Sequence, residues 1–589
     1  MSVMGSMIVI IMILLMLILC TSGANADWDV MSDTWVATDA LGRELPGFDE
    51  CGPPKENKQI GMFYFLWIGQ HGTDGPYDIT KILAKNPDNP EWGPMGKFHH
   101  WGESELGYYV SDDEYVIRKH CRMLTDAGVD MLGMDATNCC TYNNVYMKIC
   151  KIYQQIRDEG GKTPQICFIT NSDSAQRVQQ LYDEFYSKNL YKDLWFMWNG
   201  KPLVMSPFEG LSDTLKNFFT VRQSWAWSHA GDNPSWWWGD GKDKWTWLDN
   251  YPQWYGYSAD PKVPEEVSVT VAQHATTKIG RSFHDGKQPE HDKYALCPTS
   301  GEGLCFAEQW KGALKINPPL IFVTGWNEWI AGRFPSNGND PMLGIPQPKG
   351  AALFVDEYTQ EYSRDIEPMK GGHTDNYYYQ LIANVRKYKG VRKPQPPSDP
   401  KSIKIDGNFE PWESVRPEYR DHIGDTEHRN SVGWGSAGTY VNDTGRNDFV
   451  RSKVTYDAKY VYFYIETKDD ITKYTDPNWM LLFINADQDH KTGWEGYNYL
   501  INYKVIDANT TTIMKTENGW NWETIGEVSY AVKGNKMELA IPRELLGKPG
   551  KAKVSLDFKW ADNIQKPNDI NEFSISGDSA PDRRFNYRY

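Results

Sequence analysis

The residues best suited to chemistry lie in 321–333, which reads I-F-V-T-G-W-N-E-W-I-A-G-R. Ile321, Phe322 and Val323 form a buried-strand pattern that runs into Trp326, Asn327, Glu328 and Trp329. A strand ending on such a cluster suits the floor of a sugar-binding cleft. The glutamate can serve as acid, base or nucleophile, the asparagine can hydrogen-bond a hydroxyl, and the indoles can stack on a pyranose face. The plainer alternative is a strand end with a surface glutamate and two core tryptophans.

Hydrolysis of a glycosidic bond requires two carboxyl groups, or one carboxyl and a substituent of the substrate, flanking the scissile bond. Glu328 is the first choice. Asp135 is the second, because a carboxylate directly after an apolar strand has a short, rigid lever arm. Its alternative is to cap a helix or order a loop. Glu103 and Glu302, in glycine-containing loops, are weaker choices. His100 and His274 could bind hydroxyls or assist proton transfer, although a lone histidine at a strand end is more often structural. Trp101 and the eight tryptophans of 225–254 are expected to shape subsites and a cleft wall.

These residues need a scaffold that brings strand ends together. Strand-like runs at 61–67, 129–135, 165–170, 194–198 with 202–205, 218–224, 267–273 and 319–324 alternate with amphipathic stretches such as 113–127 and 144–158. That alternation predicts parallel strands with crossover helices, and a (β/α)8 TIM barrel is the default solution, with its chemistry at the strand ends. The barrel is expected over 27–386. The stretch 387–401, with Pro394, Pro396, Pro397 and Pro400, reads as an extended linker. Strands without long helices then predict a β-sandwich over 402–589.

The chain has 589 residues, enough for two or three domains, and a formal charge of −16, which argues against a nucleic acid partner. Its 25 tryptophans and 34 tyrosines suit ring stacking on neutral polysaccharide, or simply aromatic-rich cores. Residues 1–26 read as a secretory signal peptide: an apolar run over 8–20 precedes Ala24-Asn25-Ala26. Cleavage there is favoured over lipidation at Cys20. The mature chain would then have no transmembrane segment and be secreted, periplasmic or at the cell surface. Cys297 and Cys305 could close a loop, whereas Cys121, Cys150 and Cys167 read as buried free thiols.

The barrel resembles the glycoside hydrolase family 99-like group, which includes endo-α-mannosidases and bacterial polysaccharide-locus proteins. The resemblance rests on Tyr64, on Gly133-Met134-Asp135-Ala136-Thr137-Asn138 and on Gly325-Trp326-Asn327-Glu328-Trp329. It implies a glycan substrate, with Tyr64, Asn138, Trp326, Asn327 and Trp329 of these motifs as substrate-binding residues; the strand-end and loop positions add His100, Trp101 and His274. Mannan-active members carry N-E-W-x-E-G, in which one glutamate deprotonates the sugar 2-hydroxyl and the other is the acid/base. This chain reads N-E-W-I-A-G: Glu328 matches the first glutamate, and Ala331 stands at the second. Either Asp135, Glu302 or Asp340 replaces the missing carboxyl, or the mechanism and substrate differ, or the barrel binds without cleaving.

The last 190 or so residues resemble the family 9 carbohydrate-binding modules. The resemblance rests on Ile405-Asp406-Gly407, Trp412, Tyr460–Tyr464 and Asn485-Ala486-Asp487-Gln488-Asp489 with Thr492-Gly493-Trp494. In those modules a tryptophan pair clamps a sugar and acidic loops hold calcium. Asp487 and Asp489 are spaced like hard-oxygen ligands, or mark a solvated turn. Trp494, Trp520 and Trp522 are stacking or core residues. No cofactor is expected for catalysis.

Two functional readings lead: a glycoside hydrolase acting on a polysaccharide through Glu328 and Asp135, and a non-catalytic glycan-binding protein on a degenerate hydrolase barrel; a polysaccharide lyase is a weaker third, since uronate binding calls for clustered Arg or Lys and only Arg333 and Arg281 are obvious.

Overall fold

A computed structural model describes residues 28–225, 241–273, 277–290, 297–343, 345–354, 356–550 and 552–589. The signal-peptide stretch 1–26 and His274 lie outside the described residues.

Eight strands follow in chain order: β1 (Gln59–Tyr64), β2 (Met131–Asn138), β3 (Gln165–Ser172), β4 (Lys201–Met205), β5 (Thr220–Trp225), β6 (Lys244–Thr246), β7 (Glu266–Thr270) and β8 (Leu320–Trp326). Each pairs in parallel with its sequence neighbour from β1 to β6, β7 pairs with β8, and β8 pairs with β1. Side chains bridge the β6–β7 seam: Thr246 Oγ1 donates to Ser268 Oγ at 2.9 Å, and Thr246 N to Glu266 Oε2 at 3.2 Å. The result is a nearly closed (β/α)8 barrel. Its outer helices include α1 (Glu114–Asp126), α2 (Asn143–Asp158), α3 (Ser174–Leu181), α4 (Asp213–Phe218), α5 (Leu304–Ile316) and α6 (Asn376–Lys389). Among the described residues, the β5–β6 and β6–β7 connections carry no helix.

The period-2 geometry of each strand sorts its residues between two apolar layers. Ile60, Met62 and Tyr64 of β1 pack outward with Leu132, Met134 and Trp326 beneath the helices. Phe63 and Phe65 point inward with Met131, Ile169 and Phe322. Glycine makes the interior possible at one level: a Cβ on Gly133 would stand 2.9 Å from the Phe322 ring. Helix α1 is started by Asp113, whose carboxylate accepts from the backbone N–H groups of Tyr115 and Val116.

Beyond residue 390 the chain forms an antiparallel β domain. Its main strands are β9 (Phe449–Tyr456), β10 (Tyr460–Thr467), β11 (Leu481–Asn485), β12 (Tyr499–Val505), β13 (Thr510–Lys515), β14 (Glu523–Lys533), β15 (Lys536–Pro542) and β16 (Asp557–Asp562). They join one sheet in the order β9-β10-β15-β14-β13-β12-β11-β16. The long β14 pairs with β13 along its first part and with β15 along its last, carrying the sheet from one layer to the other. The two ends then face each other, with Phe463 against Phe558 at 5.4 Å and Trp560 Nε1 donating to Ser452 Oγ at 3.0 Å.

The stretch 387–401 is not a free spacer. Helix α6 runs to Lys389 and is stopped by Gly390 at φ 75°. Arg392 then pairs with both Asp29 and Asp33, which fastens the chain to the segment ahead of the barrel. The β domain is also bound to the barrel by Arg429–Asp113, Arg583–Glu105 and Arg584–Asp375 ion pairs. All eight cysteines from Cys51 onward are free thiols, so Cys297 and Cys305 do not close a loop; Cys305 lies in α5, and Cys297 Sγ contacts Thr299 Oγ1 instead. No helix among the described residues is long and apolar enough to cross a membrane.

Candidate active site

The carboxyl ends of the barrel strands surround a cavity of about 270 Å³. Phe63, Phe65 and Trp67 contribute from β1 and its end, Asp135, Thr137 and Asn138 from β2, and Asn171 from β3. Ser224, Trp247 and Glu328 close the ring, and Asp356 and Arg364 reach in from the long segment after β8. Two half-buried indoles form its aromatic walls: Trp247 stacks on Phe63 with centroids 5.5 Å apart, and Trp67 packs on Phe65 at 4.3 Å.

Glu328 is fixed from both sides. The preceding residue, Asn327, takes the left-handed conformation at φ 57°, which asparagine tolerates better than most residues. Its Oδ1 accepts from Phe65 N at 2.8 Å, and its Nδ2 donates to Phe65 O at 2.9 Å, so the ends of β1 and β8 are tied together. Trp101 Nε1 donates to the Glu328 carbonyl at 3.1 Å. Glu328 is buried, with 4 % of the residue exposed. Its Oε1 accepts from Arg364 Nη2 at 2.8 Å, while Oε2 is buried with no hydrogen-bond partner.

Two effects oppose each other at this group. Burial disfavours the charged form, and Asp356, Asp135 and Asp365 add negative charge around it; the Arg364 guanidinium favours the carboxylate. Burial is the largest effect, and the carboxyl is pushed up to about 8. Asp135 is raised as well, again chiefly by burial. Three donors act against that rise: Thr137 N at 3.0 Å and Thr137 Oγ1 at 2.7 Å on Oδ1, and Trp67 Nε1 at 2.9 Å on Oδ2. Asp356 is the most open of the three carboxyls, with 46 % of its side chain exposed. Arg364 Nη2 also lies 3.6 Å from Asp356 Oδ1, so one guanidinium faces two of the cavity's carboxyls, and it sits 5.7 Å from the Trp247 ring.

The residues singled out from sequence fall into distinct places. Glu328, Asp135 and Asn138 line the cavity together. Tyr64 and Trp326 belong to the outward-facing layer. The Tyr64 hydroxyl hydrogen-bonds His120 Nδ1 at 3.0 Å, and Trp326 packs edge-on against His120. Both are buried on the helix side and are not part of the cavity lining. Trp101 and Trp329 stack on each other at 4.6 Å under the cavity and are fully buried, so neither offers a free face. Trp329 Nε1 donates to Glu367 Oε2 at 2.6 Å. His100 is held at about 3 by burial and lies edge-on to Tyr108 and Trp434, the latter from the β domain. Both ends of the Asn327 amide hydrogen-bond the Phe65 backbone, and the residue is only 1 % exposed.

Ala331 lies in the strand Ile330–Pro335, paired with His99 and buried, and is not part of the cavity lining. Glu302 and Asp340 do not line it either; Glu103 is bound to Lys81 and Lys370. The additional carboxyl comes from Asp356. Sequence reasoning missed Asp356 and Arg364, which follow no strand pattern, and reached Trp247 only as one of a tryptophan-rich run.

In the β domain, Asp487 and Asp489 are exposed on a turn. Asp487 accepts from Thr492 Oγ1 and Asp489 N, and Asp489 from Lys491 N. Their carboxylates thus order their own loop. Trp494 is buried against Phe483 and lies edge-on to Trp520 at 4.6 Å.

No protein-family model matches the chain. No curated protein matches it. Among solved structures, it is similar to the GH99 endo-α-mannosidase of Bacteroides thetaiotaomicron. The complex of that enzyme with Bis-Tris-propane aligns at 15 % identity and a TM-score of 0.33, covering 56 % of this chain and 98 % of the other. A second structure of the enzyme gives 15 % identity, a TM-score of 0.32, and coverage of 57 % and 98 %.

Proposed function

We propose that the protein is a secreted glycoside hydrolase acting on a polysaccharide or complex glycan at the carboxyl-end mouth of the barrel. The observation that carries this reading is the convergence of Glu328, Asp135 and Asp356 on one cavity walled by Trp67 and Trp247. Its volume of about 270 Å³ is small among ligand sites and suits a single sugar residue more than a long chain. Glu328, protonated at neutral pH, is the proton donor to the leaving oxygen. Asp135, held still by Trp67 and Thr137, supplies the second carboxyl. Asn138 and Asn171 offer amides to sugar hydroxyls, and the indoles offer faces to the ring.

One observation favours a second reading. Arg364 is hydrogen-bonded to Glu328, which ties up one oxygen of the proposed acid. In that reading the barrel binds a glycan without cleaving it. Reducing-sugar release from a panel of plant, fungal and host polysaccharides decides between them. Release by the wild type and none by Glu328→Gln establishes the hydrolase. Binding of a glycan without release by the wild type establishes the binding protein.

A further inference from the structure

The seam between the barrel and the β domain carries a group of carboxylates with nothing to do in either reading. Asp421, Asp425 and Asp578 are all buried, and one oxygen from each lies within 4.8 Å of the others. Ligand oxygens on opposite sides of a calcium ion stand about 4.6–5.2 Å apart, twice the metal–oxygen distance, so the three fit around one such ion.

Asp421 is 1 % exposed and Asp425 3 %. None of their four carboxylate oxygens has a hydrogen-bond partner. A buried charge without a partner is costly, and native structures pair such groups or place them on a metal. Asp578 is partly satisfied, since its Oδ2 accepts from Phe449 N at 2.7 Å. Asp448 and Asp582 add negative charge to the same region; Arg122 and Lys119 from α1, and Lys559 from β16, offset part of it.

The loop that carries two of these ligands is also the loop that docks on the barrel. Between Asp421 and Asp425, the carbonyls of Ile423 and Gly424 accept from Arg122 Nη2 of α1, at 3.2 and 2.7 Å. His422 Nε2 lies 3.0 Å from Asp126 at the end of the same helix. Gly424 N is held by Asp448. We propose that Asp421, Asp425 and Asp578 bind a calcium ion that orders the 421–425 loop and so fastens the β domain to α1. The ligand set is all oxygen, and neighbouring His422 is engaged by Asp126, so a hard cation is favoured over zinc.

The test uses the full-length protein. Metal analysis after dialysis in calcium buffer is expected to find calcium that Asp425→Asn/Asp578→Asn loses and Asp487→Asn/Asp489→Asn keeps. Removing calcium with EGTA is expected to lower the wild-type melting temperature by about 5 °C, restored by calcium and not by an equal concentration of magnesium. Amide exchange in peptides spanning 421–425 should slow when calcium is added; this readout needs no variant and stands even if the double substitution impairs folding. Two results overturn the proposal. One is no bound calcium together with a melting temperature indifferent to calcium and EGTA, which would leave protons to neutralise the cluster. The other is calcium retained by Asp425→Asn/Asp578→Asn, or exchange protection outside 421–425 alone, which would put the ion elsewhere.

Discussion

Replacing Glu328 by glutamine should change how stability depends on pH, with no substrate needed to see it. The folded-state carboxyl sits at about 8, against an ordinary value of 4.5. A raised value means that the folded protein holds this proton more tightly than the unfolded chain does. The corresponding stability is fully present below about pH 4.5 and is lost as pH rises through 8. Each unit of separation corresponds to about 1.4 kcal/mol, so between pH 5 and pH 7.5 the wild type should lose on the order of 3 kcal/mol from this group. Glutamine keeps the shape and an oxygen for Arg364, and it has no proton to lose. The stability difference between the two proteins should therefore move by about 3 kcal/mol in favour of the variant over that interval. Urea unfolding of both proteins at several pH values, followed by tryptophan fluorescence, measures that difference, and groups unaffected by the substitution cancel from it. A difference that stays constant with pH would mean that Arg364 holds Glu328 ionised throughout. Glu328 could then not be the acid.

Two further outcomes follow from the same geometry. On whichever glycan is cleaved, kcat/KM should fall about tenfold per unit above roughly pH 8 as Glu328 loses its proton; a profile still rising at pH 9 would assign the acid to another group. Asn327→Ala should cost about 3–5 kcal/mol, because it leaves the N–H and C=O of Phe65 unpaired and puts alanine at φ 57°. Thermal melting reads this, and a variant that melts like the wild type but no longer binds glycan would return Asn327 to the substrate.

The barrel was legible because its strands are buried on both faces and read as apolar runs between amphipathic stretches. Asp135 and Glu328 were legible for a related reason: a carboxylate directly after such a run has nowhere to go but the strand's carboxyl end. The side each residue faces was not legible in the same way. Tyr64 and Phe63 are neighbours in β1, yet one packs under the helices and the other lines the cavity. In a strand apolar on both faces, composition does not reveal parity, so nothing in β1 or β8 marked Tyr64 and Trp326 as facing away from the cavity. Trp101 and Trp329 misled differently. Their rings stack on each other, a pairing between residues more than 200 positions apart that no local pattern announces.

The hardest part to read was the segment that completes the site. Residues 357–369 include Glu357, Glu361, Arg364, Asp365 and Glu367, a composition that signals a solvated loop, yet every one of these thirteen residues is buried. Several of the buried carboxyls have individual partners. Glu361 takes the N–H and hydroxyl of Ser282, and Glu367 takes Ser104, Tyr109 and Trp329. Asp365 takes the backbone N–H of Asn327. Such a network has partners scattered from residue 104 to residue 329, so it exists only once the barrel has closed. Its contact with the barrel depends on Gly325, at φ 129°, where a Cβ would fall 1.5 Å from the Arg364 carbonyl oxygen. With glycine there, Ile366 N reaches the Gly325 carbonyl at 2.6 Å and the backbone of the segment lies directly on β8. That close approach sets Arg364 against Glu328 and brings Asp356 to the cavity rim. The glycine of G-W-N-E-W thus has a positioning role as definite as that of the glutamate: one supplies the carboxyl, and the other admits the chain that governs its proton.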